Sequence, residues 1–277
     1  MIDFYAQVGG RVLPSSDLPL RFPAGEQHIT DHPYDDETPL YVVIRGTDAN
    51  DYISAAMWID LQRQRGFRVA AIIPYLPGAR QDRGKPFGAQ VYARLINAMS
   101  ADQVITFDPH SPVMPGLINN LTVVDSTEAV LKGLSGHALA LDGIIAPDAG
   151  ARNRAAKVAA ALNLPVYTGS KKRNSRTGEL TDFECEYIPD RGGRFLIVDD
   201  ICDGGRTFIG LANAAALDPE QLVLWVSHGV FSGRYGHLLQ KRFDHIFTTD
   251  SHPGHRNEDV GAWIVPVLPY LTKEISL

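Results

Sequence analysis

Two adjacent carboxylates, Asp199 and Asp200, stand at the end of the apolar run Phe195-Leu-Ile-Val198, and Ile-Cys-Asp-Gly-Gly-Arg-Thr207 follows at once. Neighbouring carboxylates accept hydrogen bonds from sugar hydroxyls or ligate a hard cation such as Mg2+. Gly204 and Gly205 would let the backbone approach a phosphate, and Thr207 with the first amides of a following helix would donate to its oxygens. Strand, acidic pair, glycine turn and helix start come in the order that a phosphosugar site needs. Open α/β sheets bind ligands beyond the carboxyl ends of their strands. The plainer alternative is a strand, a polar turn and a helix cap that bind nothing.

The elements that must position these groups follow from the periodicity of apolar residues. Short β-rich runs are expected at Leu40–Ile44, Val69–Pro74, Val104–Phe107, Gly143–Ala146, Phe195–Val198, Leu222–Val226 and His245–Thr248. Helical spacing marks Asp51–Arg65, Ala89–Met99, Arg152–Leu162 and Phe208–Leu217 between them. Alternation of this kind predicts βαβ units and parallel sheets covered on both faces. A seam around Leu134–Asp142 divides the chain into halves, 1–138 and 139–277. Each half carries a strand, a loop bearing Arg or Asp, and an Ala-rich helix.

Composition narrows the class. The 277 residues suffice for one large or two smaller domains, and the formal charge of -6 argues against bulk nucleic-acid binding. Two cysteines, Cys185 and Cys202, are too few for a disulfide scaffold and point to a reducing compartment. No run is long and apolar enough to span a bilayer, and Met1-Ile-Asp-Phe-Tyr does not open as a secretory signal does. A cytoplasmic protein without membrane or nucleic-acid partners is expected.

The segment Val198-Asp-Asp-Ile-Cys-Asp-Gly-Gly-Arg-Thr207 resembles the phosphoribosyl-pyrophosphate loop of type I phosphoribosyltransferases. Phe22-Pro-Ala-Gly-Glu26, Ala79-Arg-Gln-Asp-Arg83, Phe107-Asp-Pro-His-Ser-Pro112, Ala146-Pro-Asp-Ala-Gly150, Lys171-Lys-Arg173 and Ser227-His-Gly-Val-Phe-Ser-Gly233 narrow the likeness. Together, in this order, they resemble the ribose-phosphate pyrophosphokinases over most of the chain. The resemblance implies two type I phosphoribosyltransferase-like α/β domains, each a mostly parallel sheet flanked by helices. It also implies transfer of the diphosphoryl group of Mg-ATP to the anomeric hydroxyl of ribose 5-phosphate.

By motif position, His110 and Asp148 would bind the Mg2+ on the ATP phosphates, with a structural histidine as the alternative for His110. Lys171 and Arg173 would stabilise the transferred group, helped by Lys172 and Arg176; a solvated basic hairpin is the alternative. Asp199 and Asp200 would take the ribose hydroxyls or a second Mg2+. Asp203, Gly204, Gly205, Arg206 and Thr207 would cradle the 5-phosphate. Arg80, Gln81, Asp82, His110, Phe22 and Glu26 would hold the nucleotide, the last two across a subunit interface, which implies at least a homodimer. An ordinary buried aromatic and a surface carboxylate are the alternatives for Phe22 and Glu26. Two departures stand out: Ala24 replaces the usual Asp, and Arg206 occupies a turn that normally has small residues. An added guanidinium there suggests ADP-ribose as an alternative acceptor. A silent regulator that binds synthetase subunits is the alternative of another class, against which the presence of His110, Asp148, Lys171 and Arg173 speaks. A structural hydrogen bond is expected for His228. The spacing of His252 and His255 could bind a metal, but no cysteine or carboxylate of matching spacing accompanies them, and structural roles are expected there too.

Overall fold

A computed structural model describes residues 1–31, 37–173, 180–188, 192–233 and 236–277. The chain runs β1 (Ile2–Val8), β2 (Arg11–Pro14), β3 (Leu18–Arg21), β4 (Gln27–Thr30), β5 (Glu37–Ile44), α1 (Ala49–Gln64), β6 (Ala70–Ile72), α2 (Gly88–Ala98), β7 (Gln103–Phe107) and β8 (Leu121–Val124). It continues with α3 (Thr127–Ser135), β9 (Gly143–Ala146), α4 (Arg152–Leu162), β10 (Val166–Arg173), β11 (Leu180–Cys185), β12 (Phe195–Cys202) and α5 (Arg206–Ala215). The last elements are β13 (Leu222–Gly229), α6 (Gly236–Arg242), β14 (His245–Thr249), β15 (Trp263–Val265) and α7 (Leu268–Thr272). Among the described residues no helix is long and apolar enough to cross a membrane.

Two compact units result: Met1–Val124 with Leu268–Leu277, and Asp125–Val267. The seam expected near residue 138 falls just after α3, inside the second unit. α3 itself explains this, because it buries Ala129, Val130 and Leu134, and Gly133 lies close to Trp225, Phe247 and Val265 of that unit.

In the first unit the strands follow the order β2-β1-β5-β6-β7-β8, parallel from β5 to β8 and antiparallel where β1 meets β2 and β5. β6 and β7 are buried along their whole length, as inner strands of a parallel sheet are, whereas the edge strand β8 is partly exposed. Phe4 stacks on the fully buried Trp58 of α1 with ring centroids 5.1 Å apart. The sequence does not foretell β1 to β4; Pro14 in β2 and Pro19 in β3 interrupt the alternation there. β3 and β4 form a separate hairpin that packs on α1. Buried Asp17 secures its approach: one carboxylate oxygen accepts from Trp58 Nε1 at 3.2 Å, Gln62 Nε2 at 2.8 Å and Arg65 at 3.3 Å.

In the second unit the order is β11-β10-β9-β12-β13-β14-β15, parallel except where β10 meets β11. From β9 the chain moves outward to β10 and β11, then returns to the other side of β9 with β12 and continues away. The sheet therefore reverses its winding between β9 and β12, the position at which such sheets leave a crevice. Phe195, Ile197, Phe208, Leu211 and Leu224 are among the buried side chains of its core.

One expectation needs correction. The apolar run puts the acidic pair beyond a strand ending at Val198, whereas β12 runs to Cys202 and contains both aspartates. β13 supports the extension, pairing Asp199 with Val226 and continuing to Cys202 with Gly229. On its other side β12 pairs with β9 as far as Ile197 with Ile145. The carboxylates thus extend along a strand whose inner neighbour has already ended.

Candidate active site

Chemistry-bearing side chains gather at this winding reversal in the second unit. β9 ends at Ala146, and Pro147-Asp-Ala-Gly150 turns into α4. Oδ1 of Asp148 accepts from the amides of Gly150 at 2.9 Å and Ala151 at 3.2 Å, which shapes the turn. Its Oδ2 meets Lys171 Nζ at 2.9 Å. Burial pushes the Asp148 carboxyl up, but the Lys171 hydrogen bond and charge, with the two amides, outweigh it and hold the group below the usual carboxylate range. Lys171 lies on β10, the neighbour of β9, so the sheet itself brings the two together. The side chains of Lys172 and Arg173 lie outside the described residues, as does all of Arg176.

Asp199 and Asp200 sit across the reversal from Asp148 along the sheet. The Asp200 amide donates to Asp199 Oδ1 at 2.9 Å. Burial pushes the Asp199 carboxyl well above the ordinary range, and the adjacent Asp200 charge adds to this. Arg154, from the first turn of α4, opposes the shift. One of its guanidinium nitrogens lies 3.7 Å from Oδ1 of Asp199 and 3.7 Å from Oδ1 of Asp200. Motif position does not single out Arg154. A signal is nevertheless there, since α4 opens Arg-Asn-Arg where the helix dipole favours acids.

The glycine turn is tightly built. Val230 and Phe231 donate their amides to the Cys202 carbonyl at 3.0 Å, and Ser232 donates to the Asp203 carbonyl at 3.0 Å. The Ser232 hydroxyl also donates to the Asp203 carboxylate. Gly205, at φ +79°, caps α5, and a Cβ there would come within 2.7 Å of Leu239. Glycine is thus demanded by backbone conformation and by packing on α6. Gly204 has open space around its Cα: a Cβ there would meet nothing nearer than the Ser232 carbonyl oxygen, 4.0 Å away. Arg206 is exposed and Thr207 half-buried in the first turn of α5.

Behind this turn lie three histidines. His228 is buried and its Nδ1 is 2.7 Å from the Ser251 hydroxyl. His252 accepts from the Gly254 amide at 3.0 Å, and His255 Nδ1 lies 2.7 Å from the His252 carbonyl. Burial, with His228 and His255 nearby, pushes His252 down to about 4 against the pull of Asp203. Among the described residues no group of three or more His, Cys, Asp or Glu converges to hold a metal with protein ligands alone.

The first unit carries the other sequence candidates. Arg80 and Gln81 are exposed in the loop after β6, and the Gln81 side chain covers Gly88 at the start of α2. Asp82 pairs with Arg83 Nε at 3.5 Å. His110 is exposed beyond β7, where Asp108 takes a left-handed turn. Phe22 and Glu26 flank the tip of the β3–β4 hairpin, joined by the Phe22 amide donating to the Glu26 carbonyl at 2.9 Å. The Phe22 ring, 45 % exposed, stacks on His28 at 5.4 Å, and Glu26 is exposed.

No protein-family model matches the chain. Among curated proteins, ribose-phosphate pyrophosphokinase from Pyrococcus abyssi is 30% identical over 245 residues, spanning 84% of this chain and 83% of that protein. The Hyphomonas neptunium protein of the same name is 32% identical over 235 residues, 78% of this chain and 72% of its own. The phosphoribosylpyrophosphate synthetase structure from Mycobacterium smegmatis superposes with a TM-score of 0.73 at 22% identity, covering 94% of this chain and 89% of that one. The fold is thus that of this synthetase, with mostly parallel α/β sheets flanked by helices. With sequence identity of this extent over most of both proteins, the chain belongs to the ribose-phosphate pyrophosphokinase family.

Proposed function

We propose that the protein transfers the diphosphoryl group of ATP to the anomeric hydroxyl of ribose 5-phosphate, releasing AMP. The observation that carries this reading is the cluster at the β9–β12 reversal. A lysine-bound carboxylate, an acidic pair and a glycine-capped helix start all belong to strands that end there. Phosphoryl-type transfer demands positioning and positive charge more than covalent help. Asp199 and Asp200 accept from the vicinal hydroxyls of the ribose. The turn at Asp203–Thr207 receives the 5-phosphate on α5 amides and the Thr207 hydroxyl. Lys171 and Arg173 act on the charge that develops on the transferred group.

Nucleotide recognition falls to Arg80, Gln81, Asp82, Phe22 and Glu26, with an exposed ring and carboxylate available at the hairpin tip. Asp148 fits Mg2+: it is an ionised oxygen donor whose present partner is a lysine that the metal would displace. Mg2+ characteristically uses one or two protein ligands beside phosphates and water, so no closed cage is needed. Asp148 would hold it in the second unit, and it would neutralise charge on the ATP phosphates. A homo-oligomer of two or more copies is supported by the exposed apolar residues Val12, Leu13, Leu18, Leu20 and Phe22 on β2 and the β3–β4 hairpin.

The test is AMP release from ATP and Mg2+ with ribose 5-phosphate; absence of AMP with every acceptor would end the enzymatic reading. A second acceptor, ADP-ribose, is favoured by one observation, the exposed Arg206 guanidinium beside the phosphate turn.

A further inference from the structure

We infer that Arg154 is a positioning residue for the acceptor sugar, acting through Asp199 and Asp200. The inference rests on the proposed role of that pair. Three observations lead to it.

The first is geometric. A single guanidinium nitrogen stands 3.7 Å from a carboxylate oxygen of each aspartate. Between these atoms the attraction is Coulombic and too long for a closed hydrogen bond. The cation therefore offsets the paired negative charge of both aspartates at once.

The second is the placement of the arginine itself. It lies in the first turn of α4, among Arg-Asn-Arg and without an acidic neighbour there, against the preference of the helix dipole. Local rules broken in this way are expected where function requires the residue. Its side chain is only 13% exposed, so the charge is not merely solvated. Arg152, its companion in the same turn, meets Glu186 on the other side.

The third is topological. α4 follows β9, and the aspartates are on β12, the strand beyond the winding reversal. Arg154 thus spans the crevice mouth and fixes the spacing between its two walls. Asp199 and Asp200 are successive residues of an extended strand, whose side chains tend to diverge. One guanidinium nitrogen held against both favours their convergence on one ligand. The chemical class so recognised is a vicinal diol, as in a furanose.

The experiment varies ribose 5-phosphate and ATP in turn and follows AMP release for the wild type, Arg154→Met and Arg154→Lys. Expected is a rise of roughly tenfold or more in the acceptor KM of Arg154→Met, with the ATP KM within about twofold, and an intermediate acceptor KM for Arg154→Lys. An unchanged acceptor KM, or equal losses for both substrates, would overturn the inference. Should Arg154→Met fail to fold, Arg154→Lys decides alone by the same selective rise, smaller in size. Calorimetric binding of ribose 5-phosphate without ATP separates this inference from the proposed reaction. A wild type that binds the sugar but releases no AMP refutes the reaction only, and the variants still report on Arg154. A wild type that does not bind the sugar refutes both.

Discussion

Lys171 Nζ lies 2.9 Å from Asp148 Oδ2, so a strand lysine already holds the carboxylate at the end of the strand beside it. The lysine keeps the carboxylate charged and oriented. Removing the lysine removes the largest of the influences that hold the Asp148 carboxyl low. In Lys171→Ala, turnover is expected to fall by roughly a thousandfold while acceptor KM changes by no more than about twofold. Steady-state kinetics checks both. Carbon-detected NMR of the variant should show the Asp148 titration moved upward. Loss of acceptor affinity at normal turnover would contradict the assignment.

The acidic pair should show a conflict between stability and use. The Asp199 carboxyl titrates well above its unfolded value because of burial and Asp200. Between those two values the folded chain keeps a proton that the unfolded chain has released, so stability falls as pH rises through this window. Asp199→Asn removes that penalty and is expected to gain about 1–2 kcal/mol above the window, read from thermal melts at several pH values. Asp200→Ala is expected to weaken acceptor binding by roughly tenfold, measured by calorimetry; unchanged affinity would refute the contact.

His252 predicts an acid limit with the opposite sign. Its folded value is pushed down to about 4, chiefly by burial, from the ordinary 6.5. The unfolded chain takes up a proton that the folded chain refuses, so stability declines as pH drops from about 6.5 toward 4. His252→Gln should flatten that decline in urea titrations. A wild-type stability level across this range would show that the imidazole is not held neutral.

Asp17 is a mechanical prediction. Its carboxylate answers Trp58, Gln62 and Arg65 on one side of α1 and secures the approach to the hairpin that presents Phe22 and Glu26. Asp17→Ala leaves buried donors without their acceptor and is expected to cost about 1–3 kcal/mol in denaturant unfolding. ATP KM should rise with it, and acceptor KM should not.

Arg206 separates the two acceptors. If ADP-ribose is used, Arg206→Gly should reduce its kcat/KM by roughly tenfold or more beyond any loss with ribose 5-phosphate. Equal effects would count against the second acceptor.

The inner parallel strands β5, β6, β7, β9, β13 and β14, and α4, are legible in the sequence because burial leaves apolar runs and Ala-rich helical spacing. The parallel strands β8, β10 and β15 carry more exposed or polar residues and are not read. β12 reads too short, since aspartates weaken a strand pattern that pairing with β13 sustains. β2 and β3 escape notice because they are exposed and carry Pro, and β1 and β4 because polar residues stand among the few they bury. The glycine turn is legible as a turn, yet the reason for Gly205 is not, as Leu239 lies more than thirty residues on. Arg154 is missed for a related reason: its meaning depends on which strand faces α4, and only the sheet order supplies that.

One feature of β12 bears on how the protein moves. Its inner half is braced by strands on both sides, while beyond Ile197 pairing with β13 continues after that with β9 has ended. The acid-bearing end is therefore the part of that strand where fraying costs least, and its amides should exchange with deuterated solvent sooner than those of Phe195 to Ile197. A bound sugar would supply the missing brace, so that occupancy is written into the breathing of a single strand.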